Sequence, residues 1–211
     1  MSTISQPNPV LAQARLAQGL TLAWLAVELV LAMAAGLAAH SIALTAFGAD
    51  SAVEVITAAV VLVQLSRGTA AVGSDTLGAR RASRAVGIGL YVVAAYIVVA
   101  AIFAVVQGVR PEATTFGVAV AVTSVAVMTV LWRWRLGLSE RLHSSALRAD
   151  AACSAVCVYM GLTMLAGLAL NTAFGWWWAD PLAGLGMIWW IQAEAREALE
   201  AARTGRHCED C

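Results

Sequence analysis

Apolar residues run along this chain in blocks close to the roughly 20 residues that an α-helix needs to cross a bilayer. The blocks fall at about 17–39, 41–66, 85–107, 113–132, 146–170 and 175–194. Short polar connections separate them, so the pattern predicts six transmembrane helices. The first block follows Arg15, is too long for the apolar region of a signal peptide and lacks a cleavage site, so it is expected to stay in the mature protein. The expected organisation is an N-terminal cytoplasmic segment at 1–16, a six-helix transmembrane domain at 17–199 and a short tail at 200–211.

Composition supports that reading. Hydrophobic residues make up 61% of the 211 and charged residues 12%, against about half and about a quarter in soluble domains. All 13 basic residues are arginine. Arg67, Arg80, Arg81 and Arg84 fall between predicted helices two and three, Arg133, Arg135 and Arg141 between four and five, and Arg196, Arg203 and Arg206 after six, while the opposite loops carry Arg110 alone. Positive charge collects on the cytoplasmic side. Both termini are therefore expected in the cytoplasm, and the protein in an inner cell membrane.

Within this apolar background two stretches repeat. Residues 40–54 read HSIALTAFGADSAVE and residues 143–157 read HSSALRADAACSAVC, sharing His, Ser, Ala, Leu, Ala, Ala, Ser, Ala and Val at the same offsets. The copies stand three helices apart, in the second and the fifth, so they run antiparallel. The pattern predicts an all-α membrane protein with a 3+3 inverted repeat, an arrangement common among secondary transporters. Each copy ends in a chemically capable pair, Asp50 and Glu54 in one, Cys153 and Cys157 in the other. The i, i+4 spacing puts both members of a pair on one helix face, about 6 Å apart along the axis. Antiparallel helices bring equivalent positions together only at mid-depth, where four oxygen and sulfur donors suit a divalent ion such as zinc. A buried carboxylate in a membrane costs several kcal/mol and marks an ion or proton route. Cysteine alone is more often a packing residue.

The stretches GLAAHSIALTAFGADSAVEVI and HSSALRADAACSAVCVYMGL resemble the second and fifth transmembrane helices of the cation diffusion facilitators. ELVLAMAAGLAAHS resembles the first helix of that family and its turn into the second, and WADPLAGLGMIWWIQ the start of the sixth. The resemblance covers residues 20–200 or thereabouts. It implies a proton-coupled exporter of divalent metals, a homodimer, and metal ligands at Asp50, Glu54, Cys153 and Cys157. Three positions depart from the family pattern. Phe47 stands where helix two usually has the aspartate that survives in helix five as Asp150, cysteines replace the usual His and Asp of helix five, and the soluble metal-binding domain that usually follows helix six is missing. A transmembrane-only member is the expectation.

Other residues carry smaller expectations. Glu28 and Asp150 are candidates for the ion or proton path, Asp150 alternatively neutralising Arg148. The tail TGRHCEDC offers His207, Cys208 and Cys211 as a further metal clamp, with a disordered polar end as the alternative. No nucleotide-binding loop, dinucleotide fingerprint or serine-nucleophile motif occurs, and no nucleic-acid partner or prosthetic group is expected. The chain is read as a non-enzyme whose transport draws on an ion gradient. Two other classes remain open: a membrane metal sensor or partner subunit that does not transport, and a thiol redox protein using Cys153 and Cys157. Zinc is the favoured cargo, with cadmium or another soft ion next, because thiolates reward polarisable metals.

Overall fold

A computed structural model describes residues 9–67, 77–107 and 114–204. Among them the chain forms six α-helices and no strand: α1 Pro9–Ala38, α2 Ile42–Arg67, α3 Leu77–Gln107, α4 Thr115–Leu142, α5 Ser145–Phe174 and α6 Ala179–Thr204. Helices are the expected answer to a hydrocarbon solvent, where each backbone N–H and C=O must find its partner within the chain. The chain is an all-α membrane protein. Five helices, α1 to α5, are long and apolar enough to cross a bilayer.

The sixth helix is the least apolar. The second half of α6 carries Glu194, Arg196, Glu197, Glu200 and Arg203, so the uncharged run from 181 to 193 covers only about 20 Å at 1.5 Å per residue. Helix ends differ as well. Arg133, Arg135 and Arg141 lie inside α4 rather than in a connection, and Arg80, Arg81 and Arg84 lie inside α3. Hydropathy reports where the hydrocarbon ends; the helical hydrogen-bond ladder continues beyond it at no cost.

Two corners share one local solution. At the α1–α2 corner His40 has φ 52°, and at the α4–α5 corner His143 has φ 48°. Each left-handed residue reverses the chain and hands it to a serine. Ser41 Oγ accepts from Leu44 N at 3.1 Å and Ser144 Oγ from Leu147 N at 3.3 Å, so each serine caps the helix that follows. The repeated His-Ser-x-x-Leu is thus a stop-and-restart signal. Gly175, at φ 67°, ends α5 in the same left-handed way.

Packing follows chain order and then crosses it. α1 lies on α2 and α4 on α5; α1 also contacts α4, α2 contacts α5, and α3 and α6 form a closely packed pair against α2 and α5. The N-terminal ends of α1 and α5 and the C-terminal ends of α2 and α4 meet in a small apolar cluster of Ala14, Ala17, Val61, Leu65, Leu138 and Leu147. That end of the bundle therefore carries Pro9, Arg67, Leu142 and Ser145. Val92, Val99, Ile102 and Val106 of α3 stay exposed, an apolar surface suited to lipid tails.

Small residues permit the closest approaches. A Cβ at Gly36 would stand 2.6 Å from Thr45 N, one at Gly161 2.6 Å from Val125 Cγ2, and one at Gly167 2.7 Å from Ala183 Cβ, whereas Gly19 has open space. The Gly36 neighbour is backbone and cannot rotate away. Gly36→Ala is expected to lower stability by about 1–3 kcal/mol, seen as an earlier midpoint of thermal unfolding in detergent. Gly19→Ala should leave the midpoint unchanged or raise it, since Ala is the better helix former by about 1 kcal/mol.

Candidate functional site

The two helices that carry the repeated motif meet in the buried middle of the bundle. Asp50 of α2 and Cys157 of α5 are both 2% exposed, and the Cys157 thiol donates to Asp50 Oδ2 across 3.2 Å. The meeting of 50 with 157 is what antiparallel crossing demands: as α2 descends from 50 to 54, α5 ascends from 153 to 157. Glu54 is buried beside them, its side chain turned to the same thiol, and its Oε2 has no hydrogen-bond partner. Cys153, one turn away on α5, takes a different neighbour, the carboxylate of Glu194 on α6. Both cysteines are free thiols.

Asp50 and Glu54 thus both turn to the Cys157 thiol, and Cys153 sits a turn away with a carboxylate that the sequence pattern did not single out. Among the described residues no three His, Cys, Asp or Glu side chains form a ready-made metal cage. What the geometry offers is a set of acidic oxygens and thiols on α2, α5 and α6, with Asp50, Glu54 and Cys157 buried, Cys153 and Glu194 half-buried, and unused acceptor capacity on Glu54.

Around this centre the other buried acids are each tied to a donor. Glu28 of α1, fully buried, accepts from Ser51 Oγ at 2.7 Å and from Trp24 Nε1 at 3.0 Å. Ser51 follows Asp50 in sequence, so Glu28 supports the site from behind through a hydroxyl. Asp180, at the start of α6, accepts from Ser41 Oγ at 2.5 Å and from Ile42 N at 2.8 Å. It caps the first amides of α2 from another helix.

Asp150 departs from its expected partner. Its carboxylate is paired with Arg135 of α4, a fully buried guanidinium, and not with Arg148, which is exposed. Gln18 of α1 donates to the same Oδ2 at 3.0 Å and also to Ala58 O of α2 at 3.1 Å, while Arg135 Nη2 donates to Ser154 Oγ at 2.5 Å. Arg135 looked like a loop residue because it stands in LWRWRLG, where two arginines depress the local hydropathy. A signal was available in the spacing, since Leu131, Arg135 and Leu138 fall on one helical face and all three are buried. Glu194 was hidden similarly by the charges that follow it. His207, Cys208 and Cys211 lie outside the described residues.

No family model matches the chain. A protein described as an uncharacterized transporter from Synechocystis sp. is 38% identical over 81 residues, which make up 37% of this chain and 26% of that protein. The matched part is therefore about a quarter of the relative's length.

The Arg135–Asp150 pair makes a quantitative expectation. Removing one member of a buried ion pair strands the other, at a cost of about 3–5 kcal/mol. Arg135→Met and Asp150→Leu should each be severely destabilising, while the double variant should be less so than the sum of the two by at least about 1 kcal/mol. Unfolding midpoints of the three variants in one detergent measure this coupling; additive losses would show that the pair contributes no net interaction.

Proposed function

We propose that this protein is a proton-coupled exporter of divalent metal ions of the cation diffusion facilitator type, with Asp50, Glu54, Cys153 and Cys157 as its cargo donors and zinc as its preferred ion. The observation that carries the reading is the meeting of Asp50 and Cys157, from opposite halves of the chain, with Glu54 buried beside them and one of its oxygens unpartnered. Two helices that contribute oxygen and sulfur to one dry point provide what a borderline cation requires. Side-chain rotation of Cys153 away from Glu194 completes the set of four. Glu28 stands one hydroxyl away, through Ser51.

The inverted-repeat reading draws support from packing. Exchanging α1, α2 and α3 for α4, α5 and α6 turns α1–α2 into α4–α5 and α2–α3 into α5–α6, and leaves α1–α4, α2–α5 and α3–α6 as they are; all seven pairs pack together. The two His-Ser corners, alike in their left-handed histidine and capping serine, exchange in the same operation. A pseudo-twofold through the α2–α5 crossing gives two related faces, each able to open in turn about one central site.

Proton coupling follows from the donor chemistry. The S–H of Cys157 is spent on Asp50 when no ion is present, and that proton must leave before sulfur can bind a metal. Metal uptake on one side then releases protons, and proton uptake on the other expels metal. An inward proton force drives export, with the arginine-rich end of the bundle in the cytoplasm of an inner membrane and two copies forming a dimer.

In proteoliposomes loaded with a zinc-sensitive dye, Asp50→Asn and Cys157→Ala are expected to cut zinc flux to the background of empty liposomes while the proteins elute as folded, and nigericin should abolish uphill flux in the parent. Wild-type flux in either variant would remove that residue from the cargo set. Selectivity offers a separate check. Cys153→His combined with Cys157→Asp hardens the donor set, so the preference for cadmium over manganese in competition assays should fall by about tenfold or more. An unchanged ranking would mean that the cysteines do not choose the metal.

A further inference from the structure

One helical turn from Cys153, toward the end of the bundle that holds Arg67 and Leu142, the interior of the protein is laced shut. Asp150 of α5 receives Arg135 from α4 and Gln18 from α1; the same Gln18 amide reaches Ala58 O of α2, and Arg135 returns to α5 through Ser154. Three side chains thus bind four helices. Behind them lies the dry layer of Ala14, Ala17, Val61, Leu65, Leu138 and Leu147, and behind that Arg15 donates to Leu65 O at 2.9 Å and to Ser66 O at 3.2 Å, fastening α1 to the last turn of α2.

The lacing is incomplete in a particular way. Gln18 and Arg135 are both 0% exposed, yet Gln18 Oε1 and Arg135 Nε have no hydrogen-bond partner. A stranded buried acceptor and a stranded buried donor each carry a desolvation penalty that a purely structural network would remove. Admission of water would satisfy both at once. Gln18 and Arg135 thus keep hydrogen-bonding capacity that the lacing does not use.

We propose that Gln18, Arg135 and Asp150 form a reversible lock that closes the route between the central acids and thiols and the Arg67 end of the bundle. It opens when Asp150 exchanges its protein donors for water, freeing α1 and α4 from α5. Arg135 is a positioning residue here: it holds Asp150 and Ser154 and touches no cargo. The proposal rests on the reading of the centre as a cargo site, but it is tested by access rather than by flux, so the two fail separately.

The native thiols report the lock. With Cys208→Ser and Cys211→Ser in place, Cys153 and Cys157 are the two remaining cysteines of the chain's four. A membrane-impermeant charged maleimide is applied to sealed vesicles of each orientation, and modification is followed by mass shift. In Gln18→Leu, which removes two hydrogen bonds without stranding a charge, and in Asp150→Asn, labelling from the face that holds Arg67 should become about tenfold faster than in the parent, with no change from the opposite face. Should Asp150→Asn fail to fold, Gln18→Leu decides. Unchanged labelling from the Arg67 face, or acceleration shared by both faces, overturns the lock, because general loosening of the bundle has no sidedness.

Discussion

An acid buried in a membrane protein must be given a donor, and that requirement organises this molecule more than any apolar contact does. Lipid tails are as apolar as leucine, so burying leucine hardly drives one helix toward another. Glu28, Asp50, Asp150 and Asp180 are different. Each accepts at least one hydrogen bond from another helix: Ser51 of α2 for Glu28, Cys157 of α5 for Asp50, Arg135 of α4 and Gln18 of α1 for Asp150, and Ser41 with the first amides of α2 for Asp180. Those partnerships join α1 to α2 and α5, α2 to α5 and α6, and α4 to α5. Helix arrangement and polar pairing are one problem here, solved once.

Much of the architecture was legible in the residue pattern because its causes are local. Helix existence follows from apolar runs, and the corners from His-Ser pairs that act within four residues of themselves. The meeting of Asp50 with Cys157 was legible for a different reason: the repeated stretch carries its own register, and an antiparallel crossing limits which positions can meet. Asp50 and Cys157 do meet. Cys153 was placed less well, since its neighbour is Glu194 on α6, and nothing in the two repeated stretches encodes the third helix that closes on them.

The interior arginine was the largest departure. A window of hydropathy assigns Arg135 to water because it averages over neighbours, whereas the structure assigns it by its partners, Asp150 and Ser154 on the adjoining helix. Asp150 in turn sits 132 positions from Gln18. Pairings that long leave no periodic trace in a single chain, which is why the expected neighbour, Arg148, was the sequence-adjacent one. The short uncharged run of α6 was visible in the sequence but was read as a full span, and only its charged continuation as a helix separates the two readings.

The anchoring of α6 at one end makes it a lever. Asp180 is fastened to Ser41 and to the first amides of α2, whereas Glu194 lies 194 minus 180, or 14, residues farther along, about 21 Å at helical rise. A rigid tilt of about 10° about that pivot carries the Glu194 backbone through roughly 3–4 Å by the same geometry, enough to part a carboxylate from a thiol, while the fastened end scarcely moves. α3, packed along α6, would travel with it. Any such tilt would act at a distance: a small angular change at the Asp180 end would alter the neighbours of Cys153.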